Sequence, residues 1–216
     1  MRLESSSLRP DQYLVGLLPG TEMSVHPMRI DGPWKAGLVL DWHTIESKLA
    51  GENEFGHPVF ETRRTEIGEL LYQFKYRSNQ QALNQLLALA MQRMAKAKGK
   101  FGLVLPVPPS NPIRTVTQQI AAGLALGLAS RTSTTALTKV RPTDELKSVT
   151  DPARRKDLLS GVFAAAPAQI RGKSILLVDD LYRSGATLEA ATEAAYHHGG
   201  AGAVYVFAVT RTRVHR

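Results

Sequence analysis

Continuous apolar runs that alternate with helical segments constrain this chain more than any other feature. "FGLVLPVP" (101–108), "TTALTKV" (134–140), "KSILLVDDL" (173–181) and "AGAVYVFAVTR" (201–211) read as strands. Between them, "VTQQIAAGLALGLAS" (116–130) and "GATLEAATEAAYHHGG" (185–200) read as helices, the second closed by Gly199 and Gly200. Strands apolar on both faces, separated by helices, predict an α/β fold with a mostly parallel sheet covered on both sides. The two glycines of the first helix, Gly123 and Gly127, are expected to let it pack closely against that sheet.

Upstream, "TEIGELLYQFKY" (65–76) spaces Ile67, Leu70, Leu71 and Phe74 along one helical stripe. Asn79 is placed to cap a long helix that runs to a stop at Gly99, with the methionines of "MQRM" as core filler. Residues 1–62 are proline-rich and irregular, and only "WKAGLVLDWHTI" (34–45) reads as a strand. The expected organisation is therefore an N-terminal extension over 1–62, a hood by analogy, and an α/β domain over 63–216. A polar stretch rich in Lys and Arg, from Lys139 to Lys156, is expected to be a mobile loop.

The chain contains no cysteine, which excludes disulfides, thiolate nucleophiles and zinc ribbons and favours a cytoplasmic home. No apolar run approaches the roughly 20 residues of a membrane span, so no membrane partner is expected. Lys and Arg number 27 against 19 Asp and Glu, a net charge of +8 that favours anionic partners such as nucleotides, sugar phosphates or DNA. Aromatic content of 6%, without a recognition helix, argues against a dedicated nucleic-acid binder. "RGKS" (171–174) imitates a Walker A ending but leads into a strand, so a nucleoside triphosphatase is rejected. His26, His43 and His57 show no metal-ligand spacing, and His197 and His198 suit a helix C-terminus; none is given a role.

Ligands of open parallel sheets bind at the carboxyl ends of the strands. Asp179 and Asp180 fall at such an end, directly before the turn Arg183, Ser184, Gly185, Ala186, Thr187 that opens a helix. Free backbone N–H groups and the hydroxyls of Ser184 and Thr187 make that turn an anion cradle. Two carboxylates beside a phosphate cradle suit a ribose 5-phosphate, whose vicinal hydroxyls donate to the acids.

"ILLVDDLYRSGAT" resembles the PRPP-binding motif of type I phosphoribosyltransferases, with Asp179 and Asp180 on the ribose acids and Ser184, Gly185, Ala186 and Thr187 on the phosphate loop. Arg183 departs from the motif, standing where a threonine is usual. "LLYQFKYRSN", "VLPVPPSNPIRTVTQQIA" and "ARRKDLLSGVF" are similar to signatures of the ComF group of phosphoribosyltransferase-like proteins, over about residues 67–211. The resemblance implies a type I phosphoribosyltransferase-like fold and a pyrophosphate loop at 109–114, with Pro109, Ser110 and Arg114 meeting the leaving group. It implies a catalytic loop in which Lys139, Arg141 and Lys147 neutralise pyrophosphate, and Mg²⁺ carried with PRPP. The activity implied is transfer of a phosphoribosyl group from PRPP to a base with pyrophosphate release. The alternative is a non-catalytic ComF-like protein that binds PRPP or a nucleotide or assists DNA uptake. The expected partners are PRPP or a nucleotide, DNA through the basic surface, and a second copy in a homodimer.

Overall fold

The computed structural model describes residues 23–110, 113, 115–142, 149 and 151–213. The first half holds strands β1 (Met28–Arg29), β2 (Ala36–Trp42), β3 (Thr44–Glu52) and β4 (Pro58–Arg64), then helices α1 (Glu66–Arg77) and α2 (Gln80–Met94). The second half runs β5 (Leu103–Pro106), α3 (Val116–Gly127), β6 (Leu137–Lys139), α4 (Pro152–Leu159), β7 (Phe163–Ala165), α5 (Pro167–Ile170), β8 (Ser174–Tyr182), α6 (Ala186–Glu193) and β9 (Ala203–Arg211). Five strands form the central sheet in the order β1-β2-β9-β8-β5, parallel throughout except that β1 runs against β2.

The run from Ile175 to Val178 in β8 is apolar at every position because the sheet is buried on both faces. Ile175 and Leu177 pack with Leu188 and Ala191 of α6 on one face, while Leu176 and Val178 pack with α1, α2 and α3 on the other. Each such side chain stabilises the fold by about 1.5–3 kcal/mol through burial. The strand-helix alternation thus yields the expected architecture, a mostly parallel sheet flanked by helices. Local caps also fall where the residue types place them. Thr65 accepts from the Gly68 N–H at the start of α1, and Asn79 accepts from Gln81 and Ala82 at the start of α2. No helix among the described residues is long and apolar enough to cross a membrane.

Several sequence expectations need correction. Gly123 and Gly127 face α2, not the sheet: a Cβ on Gly123 would lie 2.3 Å from Leu87 Cδ1, and one on Gly127 2.7 Å from Met91 Sδ. The basic stretch is not a loop as far as Lys156, because α4 begins at Pro152, a residue suited to a first helical turn. β7 reads as no strand in the sequence, yet it pairs antiparallel with β6. The strand within 34–45 is β2, which pairs with β9 inside the main sheet and buries Val39 and Leu40 on opposite faces. The hairpin β3–β4, whose second strand crosses the boundary expected at residue 62, forms its own two-stranded sheet.

Candidate functional site

β5, β8, β9 and β2 run in parallel, so their carboxyl ends open on one edge of the sheet. Asp179 and Asp180 stand on β8 at that edge, both partly buried. The two carboxyls stand close enough to interact directly, side chain to side chain. Asp180 meets α1: its Oδ2 accepts from Lys75 Nζ at 2.5 Å, in an ion pair whose side chains are only 17% and 20% exposed. Asp179 Oδ1 accepts from the Asp180 backbone N–H at 2.9 Å.

Burial pushes the Asp179 carboxyl up to about 8, and the neighbouring Asp180 charge adds to the rise. Asp179 therefore keeps its proton near neutral pH, beside the Lys75–Asp180 ion pair. An uncharged cluster of this kind does not repel an incoming phosphate, while its carboxyl oxygens still accept from sugar hydroxyls.

Because Asp179 holds its proton more tightly folded than unfolded, the folded state binds the extra proton between the ordinary carboxylate range and about pH 8. Stability contributed by that proton is complete below the unfolded value and is lost as pH rises through about 8. Denaturant titrations should show stability falling across this window. Asp179→Asn should flatten the curve, because every tenfold gain in proton affinity on folding contributes about 1.4 kcal/mol. A wild-type profile that rises from pH 4 to pH 8 would contradict the assignment.

The turn after β8 places Gly185 at φ +86 as the residue that precedes α6. A Cβ there would sit 2.8 Å from the Tyr182 hydroxyl, so both the backbone conformation and the space favour glycine. The buried Ala186 and half-buried Thr187 form the first turn of α6, whose leading N–H groups have no partner within the helix. Ser184 and Arg183 are exposed, and Arg183 forms no ion pair among the described residues.

On the neighbouring strand, the Val107 N–H donates to the Val178 carbonyl at 2.8 Å, which extends the β5–β8 ladder. The buried hydroxyl of Thr117 on α3 donates to the Val107 carbonyl at 3.2 Å, tying the start of the following loop to the helix behind it. Pro109 is half-buried and Ser110 exposed in that loop. Lys139, at the end of β6, reaches Ser110 Oγ at 3.4 Å, which joins two of the predicted leaving-group residues. Arg141 is engaged elsewhere. Its guanidinium donates to the carbonyls of Leu158, at 3.3 Å, and Ser160, at the carboxyl end of α4. Arg114 and Lys147 lie outside the described residues.

Two members of this edge were missed in the sequence. Lys75 lies within "LLYQFKYRSN" without an assigned role there, and only tertiary structure carries it to Asp180. The amphipathic period offered a clue: Lys75 follows Gly68 and Leu71 at offsets of seven and four, on the face that docks against the sheet. His43, which lacks metal-ligand spacing, is the other. It lies just beyond β2, with its Nδ1 3.1 Å from Thr210 Oγ1 on β9.

No family model and no curated protein matches this sequence. Among solved structures, the chain is similar to the allosteric regulatory enzyme of purine biosynthesis, at TM-score 0.42 and 18% identity over 72% of this chain and 34% of that one. It therefore spans about a third of that protein's length. It is also similar to adenine phosphoribosyltransferase from Leishmania tarentolae, at TM-score 0.38 and 11% identity, with 81% of this chain and 91% of that chain covered. Adenine phosphoribosyltransferase from Trypanosoma brucei, solved with AMP, pyrophosphate and ribose-5-phosphate, gives TM-score 0.37 and 10% identity with 87% of each chain covered.

Proposed function

We propose that the protein binds PRPP, or a nucleotide bearing ribose 5-phosphate, at the carboxyl end of β8, and transfers the phosphoribosyl group to a nitrogenous base with release of pyrophosphate. One observation carries this: a partly buried acid pair stands at a parallel-strand end, directly before a positive-φ glycine turn that opens a helix. The acids suit the ribose hydroxyls. The turn and the α6 N-terminus suit the 5-phosphate. Pyrophosphate falls to the loop after β5, where Ser110 and Lys139 meet.

Departure of pyrophosphate leaves positive charge at the ribose C1 and places negative charge on the leaving oxygens. Lys139 is positioned to stabilise the latter. Mg²⁺ bound with PRPP supplies further neutralisation of that charge. The described residues hold no group of three or more His, Cys, Asp or Glu side chains suited to a metal ion. A Mg²⁺ carried with PRPP would be ligated mainly by phosphate and hydroxyl oxygens of that ligand. The hairpin β3–β4, which joins the end of β2 to α1, is the proposed hood over the acceptor; Leu49 and Phe60 pair across it, both exposed.

The Lys75–Asp180 pair favours a second reading. A cation of the chain already occupies one ribose acid, as would suit a non-catalytic, ComF-like module that senses PRPP or a nucleotide. Calorimetric titration of PRPP with and without Mg²⁺, followed by assays of pyrophosphate release with a panel of bases, separates the two. Binding with turnover is the expected result, binding alone supports the second reading, and absence of binding removes both.

A further inference from the structure

His43 continues the β2–β9 ladder one step past Trp42, its N–H donating to the Arg211 carbonyl at 2.7 Å. Its ring is half-buried at the same sheet edge as the acid pair. Nδ1 lies 3.1 Å from Thr210 Oγ1, and that hydroxyl donates to the Asp180 carbonyl oxygen at 3.3 Å. A threonine has one hydroxyl proton, and a carbonyl only accepts. Both contacts are satisfied together only when Nδ1 carries a hydrogen and gives it to Oγ1. In a neutral ring this leaves Nε2 with a bare lone pair. Nε2 has no partner among the described residues and is not among their fully buried unpaired atoms.

The surroundings keep the ring neutral. Burial, then the charges of Arg64 at the end of β4 and Lys75 on α1, hold His43 below its ordinary value, against the opposing pull of Asp180 on β8. β9 presents Thr210, which is uncharged.

Strand order sets the chemistry that such a nitrogen can serve. Displacement at a ribose C1 brings the nucleophile to the face opposite the leaving group. The proposed pyrophosphate loop follows β5 on one side of β8, while β9 and β2 lie on the other. His43 stands at the end of β2, two strands or about 10 Å across the sheet from β8. We propose that His43 Nε2 is the proton acceptor for the nitrogen nucleophile, a catalytic residue on the acceptor side of the site. This rests on the reading of the β8 end as a phosphoribosyl site.

In the step, the bond from C1 to pyrophosphate breaks and its electron pair leaves on the pyrophosphate oxygen. The lone pair of the base nitrogen forms the C1–N bond, and the hydrogen of that nitrogen passes to Nε2. The imidazolium then returns its proton to water, a release that Arg64 and Lys75 favour.

The test compares the full-length protein with His43→Gln, which keeps an N–H donor but has no basic nitrogen. PRPP affinity is measured by calorimetry with Mg²⁺, and pyrophosphate release with adenine, guanine, hypoxanthine, uracil and orotate in turn. The expected result is a fall in kcat of about 100-fold or more, PRPP affinity within about twofold of wild type, and loss of the acidic limb of the kcat/KM profile. Nitrogen-resolved NMR of the wild-type imidazole should show Nδ1 protonated and Nε2 bare at pH 7. The proposal is overturned by an unchanged kcat, by a parallel loss of PRPP affinity, by an Nε2–H tautomer, or by PRPP binding with no base accepted by the wild type. Failure of the wild type to bind PRPP instead removes the site assignment on which it stands.

Discussion

Asparagine at both 179 and 180 will abolish binding of ribose 5-phosphate ligands, with an expected loss of at least about 100-fold in affinity. The reason is the number of acceptors removed. Each change replaces one carboxyl oxygen by an amide N–H donor; losing the bond to the Asp180 carboxylate costs about 1.5–3 kcal/mol and losing the one to the protonated Asp179 carboxyl about 0.5–1.5 kcal/mol. The fold should survive, because both residues stand at the end of a strand whose core is Ile175 to Val178. Stability will shift in opposing directions. Asp179→Asn relieves a carboxyl whose ionisation burial opposes, whereas Asp180→Asn leaves the Lys75 ammonium without its carboxylate. The measurement is calorimetry with ribose 5-phosphate and PRPP, alongside circular dichroism of the same samples. Retention of micromolar binding by a folded double variant would remove the acids from the site.

Gly68→Ala is the second change with a large expected effect, and it acts through the backbone. A Cβ at 68 would lie 2.0 Å from the His43 carbonyl oxygen, 3.0 Å from its carbon and 3.2 Å from Thr65 Oγ1. No side chain can turn aside to relieve that clash, so α1 must lift from the end of β2. Overpacking of this kind costs about 1–3 kcal/mol, and each kcal/mol lowers the melting temperature of a chain this size by about 2–4 °C. Thr65 also donates to the Trp42 carbonyl at 2.5 Å, so the first turn of α1 clamps the segment that carries His43. Displacement of α1 should therefore weaken the Lys75–Asp180 pair and reduce turnover as well as stability. Gly102→Ala provides the milder comparison, since its Cβ would lie 3.2 Å from Lys173 Cβ and 3.4 Å from Cγ, contacts that a shift of a few tenths of an ångström relieves. Equal melting temperatures for the two variants would show that α1 has slack at this contact.

The sequence by itself determined what depends on near neighbours. The runs of β5, β8 and β9 are legible because a strand buried on both faces must be apolar at successive positions. The cap at Asn79 is a local hydrogen bond between residues two or three apart. The acid pair and its glycine turn are equally local, since strand end, turn and helix start follow one another within a dozen residues. Tertiary structure alone decided the partners. Lys75 and Asp180 are separated by 105 residues, and His43 and Thr210 by 167. No periodicity connects positions so far apart, because their meeting is set by strand order and by how closely one helix can approach the sheet. The same physics placed β2 beside β9 and turned Gly123 and Gly127 toward α2: a side chain's periodicity fixes which face it occupies, and packing chooses what covers that face.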